Sequence, residues 1–146
     1  MTTSISPYLM LNGNAREAIA FYTAAFDTNV DSMDFYKDWP KEMGGAIPEG
    51  YGDKIMHASI AVGDSHLMLA DTFPDQPYAP GSVITLMLDA QNVTEAESLF
   101  KKLSAEGEVI IPLAETSFSP AYGQVKDPFG IEWQIVTDSA AMNSSS

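Results

Sequence analysis

Glu132 and Gln134 stand two residues apart in Ile131-Glu132-Trp133-Gln134-Ile135-Val136, a β-branched and aromatic stretch that follows Asp127-Pro128-Phe129-Gly130. Asp-Pro and Gly favour a tight turn, so the stretch reads as a strand leaving a hairpin, and the turn residues are needed for backbone reasons alone. Side chains alternate along a strand. Glu132 and Gln134 therefore share one face, and Trp133 and Ile135 share the other, expected to lie under a helix. A carboxylate and an amide on one face can orient a ligand through hydrogen bonds without a metal ion. A solvated sheet face produces the same alternation, so periodicity leaves both readings open.

The same parity applies to Met56-His57-Ala58-Ser59-Ile60-Ala61, where His57, Ser59 and Ala61 share a face. His57 with Glu132 in one cavity would make a proton-transfer pair or two ligands of a metal site. A histidine at a strand end that only hydrogen-bonds is the commoner case. His66, beside a turn, has less claim, and two histidines in all cannot build a histidine-rich metal centre. The sequence has no glycine-rich phosphate cradle, serine nucleophile elbow or helix with paired metal-binding histidines.

The elements that must position these residues form a doubled unit. Leu9-Met10-Leu11 meets the turn signal Asn12-Gly13-Asn14, then apolar positions Ala15, Ala18, Ile19, Tyr22 and Phe26 at helical spacing. The second half repeats this with Ile84 to Leu88, a turn from Asp89 to Thr94, and a helix whose stripe is Val93, Ala96, Leu99, Phe100 and Leu103, ending near Gly107. Hairpins follow each helix: Ile55 to Val62 with His66 to Ala70 around Gly63-Asp64-Ser65, and Ala121 to Lys126 with Ile131 to Thr137 around the Asp127 turn. The pattern is βαβββ twice, an α+β class in which two half-sheets each put one face under a helix and jointly enclose a groove. It gives one domain over residues 1–140, with modules at about 5–72 and 82–137, a linker from Phe73 to Gly81 and a frayed tail over 141–146. The long Lys37 to Lys54 loop, with Trp39, Met43 and Tyr51, is either a lid or a mobile loop, and Pro112 to Tyr122 is a candidate pocket rim.

Composition closes several doors. With 146 residues and 45% hydrophobic content the chain can build one core, and its apolar runs are too short to span a bilayer. The N-terminus lacks the features of a secretory signal, which makes the cytoplasm the expected location. There is no cysteine, which excludes disulfides, zinc-thiolate sites and a cysteine nucleophile. Seven basic against twenty acidic residues give a formal charge of −13, which repels phosphate backbones, so no nucleic-acid partner and no membrane partner is expected.

Three stretches, PYLMLNGNAREAIAFYTAAF, MHASIAVGDSHLMLAD and YGQVKDPFGIEWQI, together with the doubled plan, resemble the vicinal oxygen chelate superfamily (glyoxalase, bleomycin resistance protein, extradiol dioxygenase). Within it the chain is similar to the PhnB-like branch, sometimes labelled 3-demethylubiquinone 3-methyltransferase-like. The resemblance runs from about Ile5 to Thr137. It implies paired βαβββ modules with curved, mostly antiparallel sheets around a groove, and a homodimer. It also implies four metal-ligand positions, which fall at Pro7, at Leu69 (Met68 if the register slips), at Ser82 and at Gln134. Only Gln134 is a plausible ligand for a hard divalent ion. Neither the methyltransferase label nor a phosphonate substrate is supported, since the sequence shows no parallel glycine-rich nucleotide fold and the groove strands carry no basic donors.

A fold does not fix a function, and three readings follow. The first is a protein that binds a small, largely apolar molecule, oriented by His57, Ser59, Ser82, Glu132 and Gln134, with no cofactor expected. The second is a lyase, isomerase or dioxygenase with a divalent metal at a displaced site, His57 and Glu132 being the catalytic candidates. The third is a dimeric interaction module without chemistry. Eight methionines serve as gap-filling packing, and a methionine-lined groove also adapts to varied ligands.

Overall fold

The computed structural model describes residues 5–38, 47, 49–72, 79, 81 and 83–137. The chain divides into two compact units, Met1–Tyr78 and Ala79–Ser146, each taken by itself below. The first unit runs β1 (Tyr8–Leu11), α1 (Ala15–Ala25), β2 (Val30–Phe35), β3 (Ile55–Val62) and β4 (Ser65–Asp71). The second runs β5 (Leu86–Ala90), α2 (Val93–Ser104), β6 (Glu108–Ala114), β7 (Tyr122–Lys126) and β8 (Glu132–Thr137). Strand order is β1-β4-β3-β2 in one sheet and β5-β8-β7-β6 in the other, so the two sheets repeat one βαβββ plan. In each, the first and last strands pair in parallel and the rest antiparallel.

One helix lies on each sheet. In the first unit Ala15, Ala18, Ile19 and Tyr22 of α1 are buried, as are Leu9, Leu11, Ala58, Ile60, Leu67 and Leu69 of the strands, which gives that unit its core. In the second, Ala96 and Leu103 of α2 are buried with Val125, Trp133 and Ile135. Gly123 of β7 has no room for a side chain, because a Cβ there would lie 2.8 Å from the Phe100 ring and 3.0 Å from Leu113 Cα. Glycine lets α2 approach the strand closely, a packing need rather than a conformational one.

The two helices start differently. Asn92 caps α2, its side chain accepting the Glu95 N–H at 2.8 Å, while Glu95 reaches back to the Gln91 N–H at 3.3 Å. Asn14, in the sequence-predicted start of α1, makes no such bond. Its task passes to Asp71 at the end of β4, whose buried side chain accepts the Ala15 N–H and the Ile55 N–H, each at 2.9 Å. One side chain thus ties the positive end of α1 to β3 and β4. Around it, the Tyr36 hydroxyl donates to the Asp71 carbonyl at 2.7 Å and the Tyr51 hydroxyl to the Thr72 carbonyl. Burial and then the Asp71 charge push both phenols up, Tyr51 to about 12, so both remain protonated donors at neutral pH.

Several expected boundaries move. β5 begins at Leu86, not Ile84, and includes Asp89 and Ala90, read above as turn; Ile84 is largely exposed. α2 ends at Ser104, with the Gly107 N–H bonded to the Ser104 carbonyl, and Val93 in its first turn is exposed. In the long loop Tyr51 is buried against Tyr36, whereas Trp39 and Met43 lie outside the described residues. The tail 141–146 and Ser82 also lie outside them. In the candidate rim, Pro112 to Ala114 belong to β6, and the buried Ser119 Oγ lies 2.8 Å from both the Ala121 and the Thr137 carbonyl oxygens, which share its single O–H and lock the rest to the end of β8.

Removing the Asp71 side chain strands two buried N–H donors. Asp71→Ala is expected to lower unfolding stability by about 3 kcal/mol, with a smaller loss in Asp71→Asn, which keeps one acceptor. Urea denaturation checks this, and equal losses in both variants would contradict the two-donor role.

Candidate functional site

The turn before β8 fixes where Glu132 and Gln134 point. Asp127 is buried, and its side chain accepts the Phe129 N–H at 2.9 Å, the Ile131 N–H at 3.0 Å and the Trp133 indole N–H at 2.8 Å. Gly130 takes φ +88°, a left-handed conformation that glycine adopts without strain, and its N–H bonds to the Asp127 carbonyl. Holding Trp133 on the helix side leaves Glu132 and Gln134 on the opposite, half-exposed face.

That face is organised. The Tyr122 hydroxyl donates to Gln134 Oε1 at 2.8 Å, and Gln134 Nε2 donates to Thr85 Oγ1 at 2.8 Å, so the amide is held at both ends. Gln124 Nε2 donates to Glu132 Oε1 at 3.2 Å. Across β7 and β8, Gln124 stands opposite Gln134. Exposed Phe118 meets Tyr122 edge-on with ring centres 5.2 Å apart, and exposed Met87 pairs in register with Gln134. A row of fixed polar groups is thus flanked by accessible apolar ones, the composition of a small-molecule site. Sequence reasoning missed Tyr122, Gln124 and Thr85. The first two alternate with Gly123 and Val125 along a strand expected from Ala121 to Lys126, and that alternation was the available signal.

In the first unit, His57 and Ser59 occupy the half-exposed face of β3 while Ala58 and Ile60 are buried, as the parity predicts. Ser59 stands in register with Ser32 on one side and Met68 on the other. His57 lies opposite Asp34, and its Nδ1 is 3.0 Å from the Tyr8 hydroxyl oxygen. His66 instead meets Asp31 at 2.9 Å, both well exposed. His57 and Ser59 belong to one unit and Glu132 and Gln134 to the other.

The positions that the family resemblance assigns to metal ligands carry a poor donor set. Pro7 offers only its carbonyl, which accepts the Met68 N–H at 3.1 Å. Leu69 is fully buried, and the equivalent of Gln134 in the repeat is Met68: Leu11 pairs with Asp71 and Ala90 with Thr137, which places Met68 and Gln134 three residues before these strand ends. The open-face register is therefore the slipped one. A thioether and an amide already held at both ends do not fit a hard divalent cation. Among the described residues, no group of three or more His, Asp or Glu side chains could hold a metal ion. No described helix is long and apolar enough to cross a membrane.

Residues 3–136 match the family described as 3-demethylubiquinone-9 3-methyltransferase. The chain is similar to protein PA1353 from Pseudomonas aeruginosa, at 34% identity and a TM-score of 0.83 over 94% of this chain and 98% of that one. It is similar to a putative 3-demethylubiquinone-9 3-methyltransferase, PhnB protein, from Bacillus cereus, at 25% identity and a TM-score of 0.75 over 92% and 99%. A glyoxalase-related enzyme from Fulvimarina pelagi shares the fold, with a TM-score of 0.62 and 17% identity over 94% and 89%.

Tyr122→Phe removes one end of the clamp on Gln134. It is expected to cost no more than about 1 kcal/mol of stability. The Gln134 side-chain amide resonances in a proton–nitrogen NMR spectrum should shift and broaden, and an unchanged pair would mean that Tyr122 does not hold the amide.

Proposed function

This chain belongs to the family described as 3-demethylubiquinone-9 3-methyltransferase, the PhnB-like branch of the vicinal oxygen chelate superfamily, and on that premise we propose that it binds a small, largely apolar molecule without a metal ion. The observation that carries the reading is the Gln134 amide, fixed by Tyr122 and Thr85 on a half-exposed strand face. A polar side chain whose rotamer is already locked loses little entropy when a ligand arrives. Glu132, held by Gln124 through one oxygen, supplies a second acceptor, and Phe118, Tyr122 and Met87 supply apolar contact. His57 and Ser59, on the half-exposed face of β3, are the orienting groups that the first unit offers. Ser82, expected from the sequence as another orienting residue, lies outside the described residues.

The family's description names a methyl transfer, and nothing in the site's chemistry draws that reaction to this chain. Each described sheet has one parallel pair, between its first and last strands, instead of the doubly wound parallel sheet that offers a nucleotide-cofactor crevice. Metal-dependent lyase, isomerase or dioxygenase chemistry is the competing reading, and it requires a centre built on His57 or Glu132 away from the family's usual positions.

We also propose that the protein is a homodimer. β6 is an edge strand whose Val109, Ile110 and Ile111 are 46%, 41% and 39% exposed, whereas the edge strand β2 carries Asp31 and Asp34, charges that discourage pairing. An apolar edge of this kind suits a second copy of itself across a two-fold axis.

The decisive experiment titrates chelator-treated protein with nickel, manganese, zinc and iron(II) in a calorimeter, beside a thermal-melt screen of small aromatic alcohols and amides. The expected result is no stoichiometric metal binding and a raised melting temperature with an apolar compound, whose affinity falls about ten-fold in Gln134→Ala and Glu132→Ala while their own stability changes little. Tight metal binding lost in His57→Ala or Glu132→Ala would replace this reading with the metal enzyme. No binding of either kind would leave the interaction module. Separately, light scattering should give twice the chain mass for the wild type and the single-chain mass for Ile110→Lys; a wild-type monomer contradicts the dimer.

A further inference from the structure

The turn that carries β1 into α1 contains Asn12-Gly13-Asn14, read from the sequence as a helix-start signal. Both flanks of the turn are pinned: the Leu11 carbonyl accepts the Thr72 N–H at 2.7 Å, and the Gly13 carbonyl accepts the Lys54 ammonium at 2.8 Å. The peptide unit between them is not. Among the described residues nothing bonds the Asn12 side chain or the Gly13 N–H, and Asn12 is exposed. Gly13 takes φ +90° and has no side chain to crowd its neighbour.

An asparagine is chemically unstable where the next backbone nitrogen can reach its side-chain carbonyl carbon. That nitrogen gives up its proton and bonds to Cγ, the Cγ–Nδ2 bond breaks, and ammonia leaves with the proton, which closes a cyclic imide. Solvent water then opens either imide carbonyl. One opening gives aspartate; the other gives isoaspartate, whose main chain runs through the former side chain and is one carbon longer. Two things hold the reaction back: a side chain on the following residue, and hydrogen bonds that occupy the amide or the nitrogen. The other described asparagines each meet one of them. The Ala15 N–H after Asn14 donates to Asp71 at 2.9 Å, Asn92 accepts the Glu95 N–H at 2.8 Å ahead of Val93, and exposed Asn29 precedes β-branched Val30. Asn12 meets neither, and Asn143 lies outside the described residues.

We propose that Asn12 is a site of spontaneous deamidation whose isoaspartyl product loosens the docking of α1 on its sheet. The step consumes only water, so it needs no enzyme and does not depend on what the protein binds. Spacing is what it disturbs. Leu11 is fixed in register with Asp71, and the chain beyond residue 12 must bring the Gly13 carbonyl to Lys54 and the Ala15 N–H to the Asp71 side chain. An added backbone carbon at residue 12 displaces both groups from their partners. The contact put at risk is the one by which Asp71 caps α1 and ties it to β3 and β4.

Wild-type protein is aged in mildly alkaline buffer, either folded or in urea, and mapped by mass spectrometry with fragmentation that separates aspartyl from isoaspartyl peptides. In the folded protein Asn12 is expected to convert at least about ten-fold faster than Asn14, Asn29 or Asn92, whose following nitrogen or own side chain is bonded or crowded. Urea should raise the Asn14 and Asn92 rates about ten-fold, the worth of the hydrogen bonds it breaks, and leave the Asn12 rate within about three-fold. Asn12→Gln, whose longer side chain must close a larger ring, should stop conversion at this position. The fraction carrying isoaspartate should unfold at a lower urea midpoint than both the unaged protein and Asn12→Asp, which has the new charge without the extra carbon. Asn12 that stays intact while folded and converts only in urea overturns the site, because the fold would then shield it. Equal midpoints for the isoaspartyl form and Asn12→Asp overturn the loosening of α1. The comparison of folded with unfolded chain uses wild-type protein alone, so it decides the first point even if neither variant folds.

Discussion

A single helix can cover only one face of a four-stranded sheet, and the side chains on the other face must find some other use. Here α1 and α2 take Leu9, Leu11, Ile60 and Leu69 in one unit, and Val125, Trp133 and Ile135 in the other. Strand alternation then sends Tyr8, His57 and Ser59, and likewise Tyr122, Gln124, Glu132 and Gln134, to the opposite face. These residues are not scattered polar decoration. They bond to one another, as Tyr122 to Gln134, Gln134 to Thr85, Gln124 to Glu132 and Tyr8 to His57. Mutual hydrogen bonding fixes rotamers that water alone would leave free, which is the preorganisation that the proposed ligand site requires.

Two buried carboxyl groups hold the frame in which this happens. Asp71 gathers the start of α1, β3 and β4 around two N–H groups, and Asp127 gathers its own turn and the Trp133 indole around three. Their tasks differ between the repeats. At the strand end where the first unit has Asp71, the second has Thr137, with Ser119 bonding to its N–H and its carbonyl. The same βαβββ plan therefore closes by a side chain on its last strand in one case and by a neighbouring loop in the other.

Much of the fold was legible because each element carries its own period: Ala15, Ala18, Ile19 and Tyr22 at helical spacing, Glu132 to Thr137 alternating by twos. The facing of the candidate residues was legible where polar and apolar residues alternate, as at His57, Ser59, Glu132 and Gln134. It was obscured where both faces are apolar. In Leu67-Met68-Leu69-Ala70 no alternation of polarity says which residue faces out, so Leu69 and Met68 could not be separated until the register was known. Tyr8 is hidden in the same way within Tyr8-Leu9-Met10-Leu11. Asp71 and Asp127 gave no sign of burial, because an aspartate near a strand end or turn is ordinarily a surface residue. The displaced start of β5 has a similar origin, since Val83 and Ile84 look like strand residues yet are exposed.

The parallel pairing of first and last strands also governs how the protein must fold. Within each half the sheet cannot close until its last strand has been made and brought back, so Tyr8 has to find Met68 and Leu86 has to find Trp133 across nearly the full length of their unit. Such distant contacts raise the contact order and slow the search, while the hairpins β3–β4 and β7–β8 can zip early. Because neither sheet borrows a strand from the other, the first can be completed on the ribosome while the second is still being translated.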